Sequence, residues 1–96
     1  MYFINMIYYC NKKKRYVTDR CFGYFKDISA ALDIVLNNKG DIAENGSYEY
    51  CCIESVPEGL YRRYTARRFF KYDEESDKYI SCAALSDFTD CVNMSF

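Results

Sequence analysis

The chain has 96 residues, of which half are apolar, and its 13 basic and 14 acidic side chains leave a net charge of −1. This length fits one domain, and the apolar half can form a packed core, which argues against intrinsic disorder. The absence of histidine excludes the Ser-His-Asp and Cys-His catalytic arrangements, and the near-neutral charge disfavours a general nucleic-acid binder. We therefore predict one domain over residues 1–96 with no enzymatic activity.

The first ten residues, MYFINMIYYC, are apolar but about half the length of a membrane span, and no basic residue precedes them. We predict a strand over residues 2–10 and a cytoplasmic protein with no membrane partner. In a reducing compartment the six cysteines are expected to be free thiols that pack as small apolar side chains. They are Cys10, Cys21, Cys51, Cys52, Cys82 and Cys91. No CxxC spacing occurs among them, so we predict neither a metal site nor a cofactor.

A polar turn at residues 11–14 separates this strand from a second extended run over residues 15–25, and the two together predict a hairpin. The four cations at positions 12–15 are expected to be solvated, as most short charge runs are.

Asp27 is a suitable N-cap for a helix over residues 28–38, and Gly40 fits the position that ends it. Five apolar residues form one stripe at the spacing of an amphipathic helix. They are Ile28, Ala31, Leu32, Val35 and Leu36. This stripe must be buried against other elements, so we predict that the helix docks on a sheet through Leu32 and Val35.

Asn45-Gly46 marks a turn, and residues 48–56 follow as a strand that is apolar on both faces. Residues 67–72 and 78–82 flank the acidic loop 73–77 and predict a second hairpin. The carboxylates of that loop are expected to be solvated turn residues rather than a catalytic pair.

Near the end of the chain, Leu85, Phe88 and Val92 have helical spacing and predict a short C-terminal helix. The expected fold is α+β in the order β-β-α-β-β-β, with one long helix packed on one face of a mostly antiparallel sheet. The other sheet face is expected to be open. Eleven Tyr with no Trp suit such a half-exposed face, and they favour pairing of two copies into a dimer.

Residues 61–72, YRRYTARRFFKY, contain five cations, five aromatic residues and no acid. Guanidinium groups match phosphate oxygens and aromatic rings stack on bases, so the segment predicts a site for an anionic, nucleotide-like ligand. The candidate ligand-binding residues are Arg62, Arg63, Tyr64, Arg67, Arg68, Phe69 and Tyr72. The alternative interpretation is an edge strand whose charges prevent aggregation, with arginine stems covering the rings.

Short segments spread over about half of the chain resemble short, mostly uncharacterised proteins encoded by phages and prophages of Firmicutes. The shared features are a Gly-Phe strand end, an Ala-containing helix, an Asn-Asp-Ile stretch, a Tyr-x-Tyr strand with an Ile-Glu pair, a Glu-Gly-Leu/Ile-Tyr turn and an aromatic-Lys-aromatic-Asp hairpin. In this sequence they are Gly23-Tyr24-Phe25, Ala30-Ala31, Asp41-Ile42, Tyr48 to Tyr50, Ile53-Glu54, Glu58 to Tyr61 and Phe69 to Asp73.

The resemblance implies an accessory protein that counteracts host defence by binding in the bacterial cytoplasm. One mechanism is sequestration of a nucleotide signal in a pocket with cations and rings, usually completed across an oligomer interface. The alternative is an inhibitor that occludes a host defence protein, such as a CRISPR protein or a nuclease, through an acidic surface. That surface would include Glu54, Glu58 and the loop 73–77. A structural or regulatory phage component is the third possibility.

Overall fold

The runs of alternating apolar residues form strands, and these strands pair with one another in an antiparallel sheet. The computed structural model describes residues 1–58 and 65–84, which form five strands and one helix. The elements are β1 Tyr2–Cys10, β2 Arg15–Phe25, α1 Ile28–Leu36, β3 Tyr50–Ser55, β4 Ala66–Asp73 and β5 Lys78–Cys82. The strands lie in the order β2-β1-β3-β4-β5, and each neighbouring pair is antiparallel.

The helix α1 packs against β1, β2, β3 and β5, and the face that it contacts is called the helix face below. The main core lies there, because the alternation of each strand directs one set of apolar side chains toward α1. Its buried members include Ile4, Met6, Cys51, Ile53, Phe70 and Tyr79 from the strands and Ala31 and Val35 from the helix.

The opposite, second face was expected to be open, and at its centre this expectation is wrong. Ile7, Cys52 and Phe69 are buried there, and the side chains of Tyr16 and Tyr50 pack around them. Neighbouring rings on the same face therefore supply cover that a second copy of the chain was expected to provide.

The predicted long helix packed on one face is also wrong, because the protein is mostly antiparallel sheet with one short helix. Asp27 caps α1 as predicted, its carboxylate accepting the Ser29 N–H at 2.9 Å, but the helix ends at Leu36. Asn38 takes a left-handed φ of 46°. Its side-chain amide donates to the backbone oxygen of Asp77, and its side-chain oxygen accepts the N–H of Ala43. The N–H of Lys39 donates to the oxygen of Ile34 at 3.0 Å, so a left-handed turn at Asn38 ends the helix and the Asn38 side chain holds it in place.

Some predictions fall on residues outside the described ranges, namely the short C-terminal helix around residues 85–92 and the site residues Arg62, Arg63 and Tyr64. Within the ranges that are described, Cys10, Cys21, Cys51, Cys52 and Cys82 are free thiols. No helix there is long and apolar enough to cross a membrane.

Candidate functional site

Strand β4 carries the described members of the predicted binding site, and its alternation divides them between the two faces of the sheet. Arg67 and Phe69 lie on the second face, whereas Arg68 and Tyr72 lie on the helix face with Phe70. The side chains of the two arginines therefore leave β4 on opposite faces, although both residues line one depression between α1, β4 and β5.

Arg67 forms a buried ion pair with Glu54, which lies directly opposite it on β3. The Nε and Nη2 atoms of Arg67 lie 2.9 Å and 2.8 Å from Oε2 of Glu54. The two side chains are only 5% and 0% exposed. The expectation that Glu54 belongs to an acidic surface is therefore wrong, and the geometry of Arg67 favours a structural role.

Phe69 is buried beside Ile7 and Cys52 and thus offers no ring face to a ligand. Burial, together with the charge of Glu54, raises the pKa of the Cys52 thiol to about 12, although the Arg67 guanidinium opposes the shift. Cys52 is therefore protonated at neutral pH and unsuited to act as a nucleophile.

Tyr72 is held in place by contacts within the protein. Its hydroxyl donates a hydrogen bond to Asp77, which raises the pKa of Tyr72 to about 12. Its ring meets that of Tyr79 edge-on, with 5.6 Å between ring centroids, and lies against the backbone of Gly46. The ring of Tyr72 is consequently packed rather than presented for stacking.

Arg68 is the member of the predicted set with an exposed side chain in the described part of the chain. It borders two adjoining depressions of about 160 Å³ and 480 Å³. The smaller depression lies between the start of α1 and the sheet and is lined by Tyr2, Ile28, Ile53, Ser55 and Ala66. The larger one opens between α1 and strands β4 and β5.

The larger depression is called the Arg68 groove below. Its lining residues are Leu32, Leu36, Arg67, Arg68, Phe69, Phe70, Ser81, Cys82 and Ala84. Leu36 is 40% exposed and forms an apolar wall on the helix side. None of the described residues that line either depression is acidic. A cation beside apolar walls suits a ligand with one anionic group and one planar or apolar part, and the volume falls within the usual range of small-molecule sites.

The sequence did not indicate Leu36 or Ser81 as site residues, because Leu36 belonged to a helical stripe that was expected to be buried. The width of that apolar stripe could have indicated that part of it stays exposed. Five apolar positions in nine residues are more than α1 buries, since only Ala31 and Val35 are fully covered.

Searches against protein-family models, curated proteins and solved structures found no match to this chain.

Proposed function

We propose that this chain is a non-enzymatic binding protein that sequesters an anionic, nucleotide-like ligand in the Arg68 groove. The observation that carries the proposal is the exposed guanidinium of Arg68 beside the apolar walls of Leu32 and Leu36, in a lining with no acid among the described residues. A guanidinium can bind phosphate oxygens in a bidentate manner, and a planar base can lie against aliphatic side chains.

The protonation of the buried cysteine thiols supports a role in binding rather than catalysis. The chain has no histidine to act as a base. Burial raises the pKa of the Cys51 thiol well above its ordinary value, and Cys52 is protonated for the same reason. Following the resemblance to phage and prophage proteins, the ligand would be a nucleotide signal of host defence in the bacterial cytoplasm.

A dimer is part of this proposal because the Arg68 groove is open on one side. A second copy placed over the groove would exclude water from the ligand and strengthen the contact between Arg68 and phosphate. Light scattering should then give twice the chain mass of 11.4 kDa when the nucleotide is present. If the measured mass under those conditions is that of one chain, the dimer prediction is wrong, and ligand binding to the groove of the monomer is then tested separately.

The experiment is a thermal-shift assay of the purified protein with a panel of cyclic and linear nucleotides. A ligand present at a hundred times its dissociation constant adds about 2.7 kcal/mol to the free energy of unfolding. Arg68→Gln removes one charge-assisted contact and should weaken binding roughly 10- to 100-fold. Arg15→Gln, an equally exposed arginine on the distant hairpin, is the matched control and should bind as the wild type does.

A second candidate function is occlusion of a host defence protein. The supporting observation is the exposed acidic turn between β4 and β5, in which Glu74 and Glu75 project into solvent. Charge reversal of both residues should abolish co-purification with such a partner and leave nucleotide binding intact. If no nucleotide shifts the melting temperature and this turn is required for capture of a defence enzyme, occlusion replaces sequestration.

A further inference from the structure

The second face carries three tyrosines in a row at the end of the sheet next to the β1–β2 turn. The rings of Tyr9 and Tyr16, which lie opposite each other on β1 and β2, meet edge-on with 5.2 Å between centroids. Tyr16 and Tyr50 meet in the same way at 5.1 Å. Tyr9 is 45% exposed and the other two are half-buried, so this tyrosine row presents ring surface to solvent.

The tyrosine row is fixed in position by the structure beneath it. The hydroxyl of Tyr16 donates a 2.9 Å hydrogen bond to Glu49, and the ring of Tyr50 packs against the buried cluster that contains Ile7 and Cys52. Two of the three rings are therefore ordered before any ligand arrives, which lowers the entropy lost on binding.

Cations border the tyrosine row on two sides. The Nζ atom of Lys71 lies 6.0 Å from the centroid of the Tyr50 ring. At the other end, the exposed side chains of Lys12, Lys13 and Lys14 occupy the turn that follows β1. One acid, Glu49, also lies at the row, where it accepts the hydrogen bond of Tyr16, but the four lysines outnumber it. Attraction between surface charges is screened beyond about 10 Å at 0.1 M salt, so charges at the row affect a ligand there more than the net charge of −1 does.

From this arrangement we propose that the tyrosine row and its lysines bind a short stretch of single-stranded nucleic acid. Aromatic side chains on an antiparallel sheet offer a surface on which unpaired bases stack, while adjacent cations contact the phosphates. A duplex hides its base faces and would use the lysines alone. Four lysines contact only a few phosphates, so the bound segment is short.

This surface is separate from the Arg68 groove. The tyrosine row lies on the second face beside the start of β3, where Tyr50 pairs with Lys71, whereas Arg68 projects from the helix face nearer the end of β3. The inference is therefore independent of the proposed function, and Arg68→Gln should leave oligonucleotide binding unchanged.

The test is fluorescence anisotropy with a labelled single-stranded oligothymidylate of twelve nucleotides. Saturable binding at low salt is expected, with a plot of log affinity against log salt falling with a slope of about −2 to −3 for three or four phosphate contacts. Tyr9→Leu should weaken binding about 5- to 100-fold through the loss of base stacking. Tyr24→Leu is the control. Tyr24 is 62% exposed on the same face, but it lies on β2 opposite Phe3, at the other end of the β1–β2 pair from the tyrosine row.

Replacing Lys12, Lys13 and Lys14 by Gln should reduce the salt slope, because each lysine contributes to phosphate neutralisation. Quenching of tyrosine fluorescence in the wild-type protein on oligonucleotide binding provides a second readout that depends on no variant. The proposal is overturned if the single strand does not bind at low salt, or if Tyr9→Leu binds it as well as Tyr24→Leu does. It is also overturned if a duplex or an acidic peptide of equal charge competes equally well, because the surface would then recognise charge without bases.

Discussion

Replacement of Arg67 by Met should destabilise the protein severely, because it leaves the Glu54 carboxylate without its ion-pair partner in a buried site. Arg67 places two nitrogens within 2.9 Å of one Glu54 oxygen, and the Glu54 side chain is fully buried. Removing one partner of such a pair costs about 3–5 kcal/mol, a large fraction of the stability of a small domain. Arg67→Glu, which places two carboxylates together, should be worse still.

Urea unfolding of Arg67→Met and Arg68→Met, followed by far-ultraviolet circular dichroism, measures this effect. Arg68 is the matched control because it is the adjacent residue on β4 but its side chain is exposed, so its replacement should change the free energy of unfolding by less than about 0.5 kcal/mol.

The double variant Glu54→Gln with Arg67→Met removes both charges and should recover part of the loss, because the cost comes from a buried charge that has lost Arg67 rather than from missing side-chain volume. Equal stabilities of Arg67→Met and Arg68→Met would refute the reasoning. Arg67 would then contribute no more to folding than the exposed Arg68, and it would again be a candidate for ligand binding.

Three further results follow from the burial of particular side chains. Val35→Ala should cost about 2 kcal/mol and more than Leu32→Ala, since Val35 is fully buried and Leu32 only partly, as paired urea titrations would show. A thiol reagent should label the exposed Cys21 of the native protein rapidly and the buried Cys51 only on unfolding; fast labelling of Cys51 would contradict its burial. Burial and a hydrogen bond to Asp19 raise the pKa of Tyr48 to about 12, so its contribution to stability is complete below pH 10 and is lost between pH 10 and 12. The difference in absorbance at 295 nm between wild type and Tyr48→Phe should show this phenol titrating near 12 in the native protein and near 10 in urea.

Local signals in the sequence predicted the features that depend on local physics. The cap at Asp27 was predicted correctly because an N-cap bonds within its own first turn. The end of α1 was predicted two residues too late, because the first left-handed residue after it is Asn38, two residues before Gly40. The N–H of Lys39 donates to the oxygen of Ile34 there, and the Asn38 side chain is also held by Asp77, which lies 39 residues away.

The same distinction explains what was missed at the candidate site. Arg67 and Arg68 are neighbours on β4, so strand alternation places their side chains on opposite faces. Which of them is exposed depends on the register between β3 and β4, which brings Glu54 opposite Arg67. A single acid within the apolar strand YCCIES was the available signal, since a charge at such a position requires a partner on a neighbouring strand.

The buried pair also determines which arginine is available to a ligand. A shift of one residue in the pairing of β4 would move Arg67 to the helix face and bring Arg68 onto the buried second face. Such a shift would separate Arg67 from Glu54, so their buried ion pair opposes it. The register that this pair favours places Arg68 on the helix face and Lys71 beside Tyr50 on the opposite face.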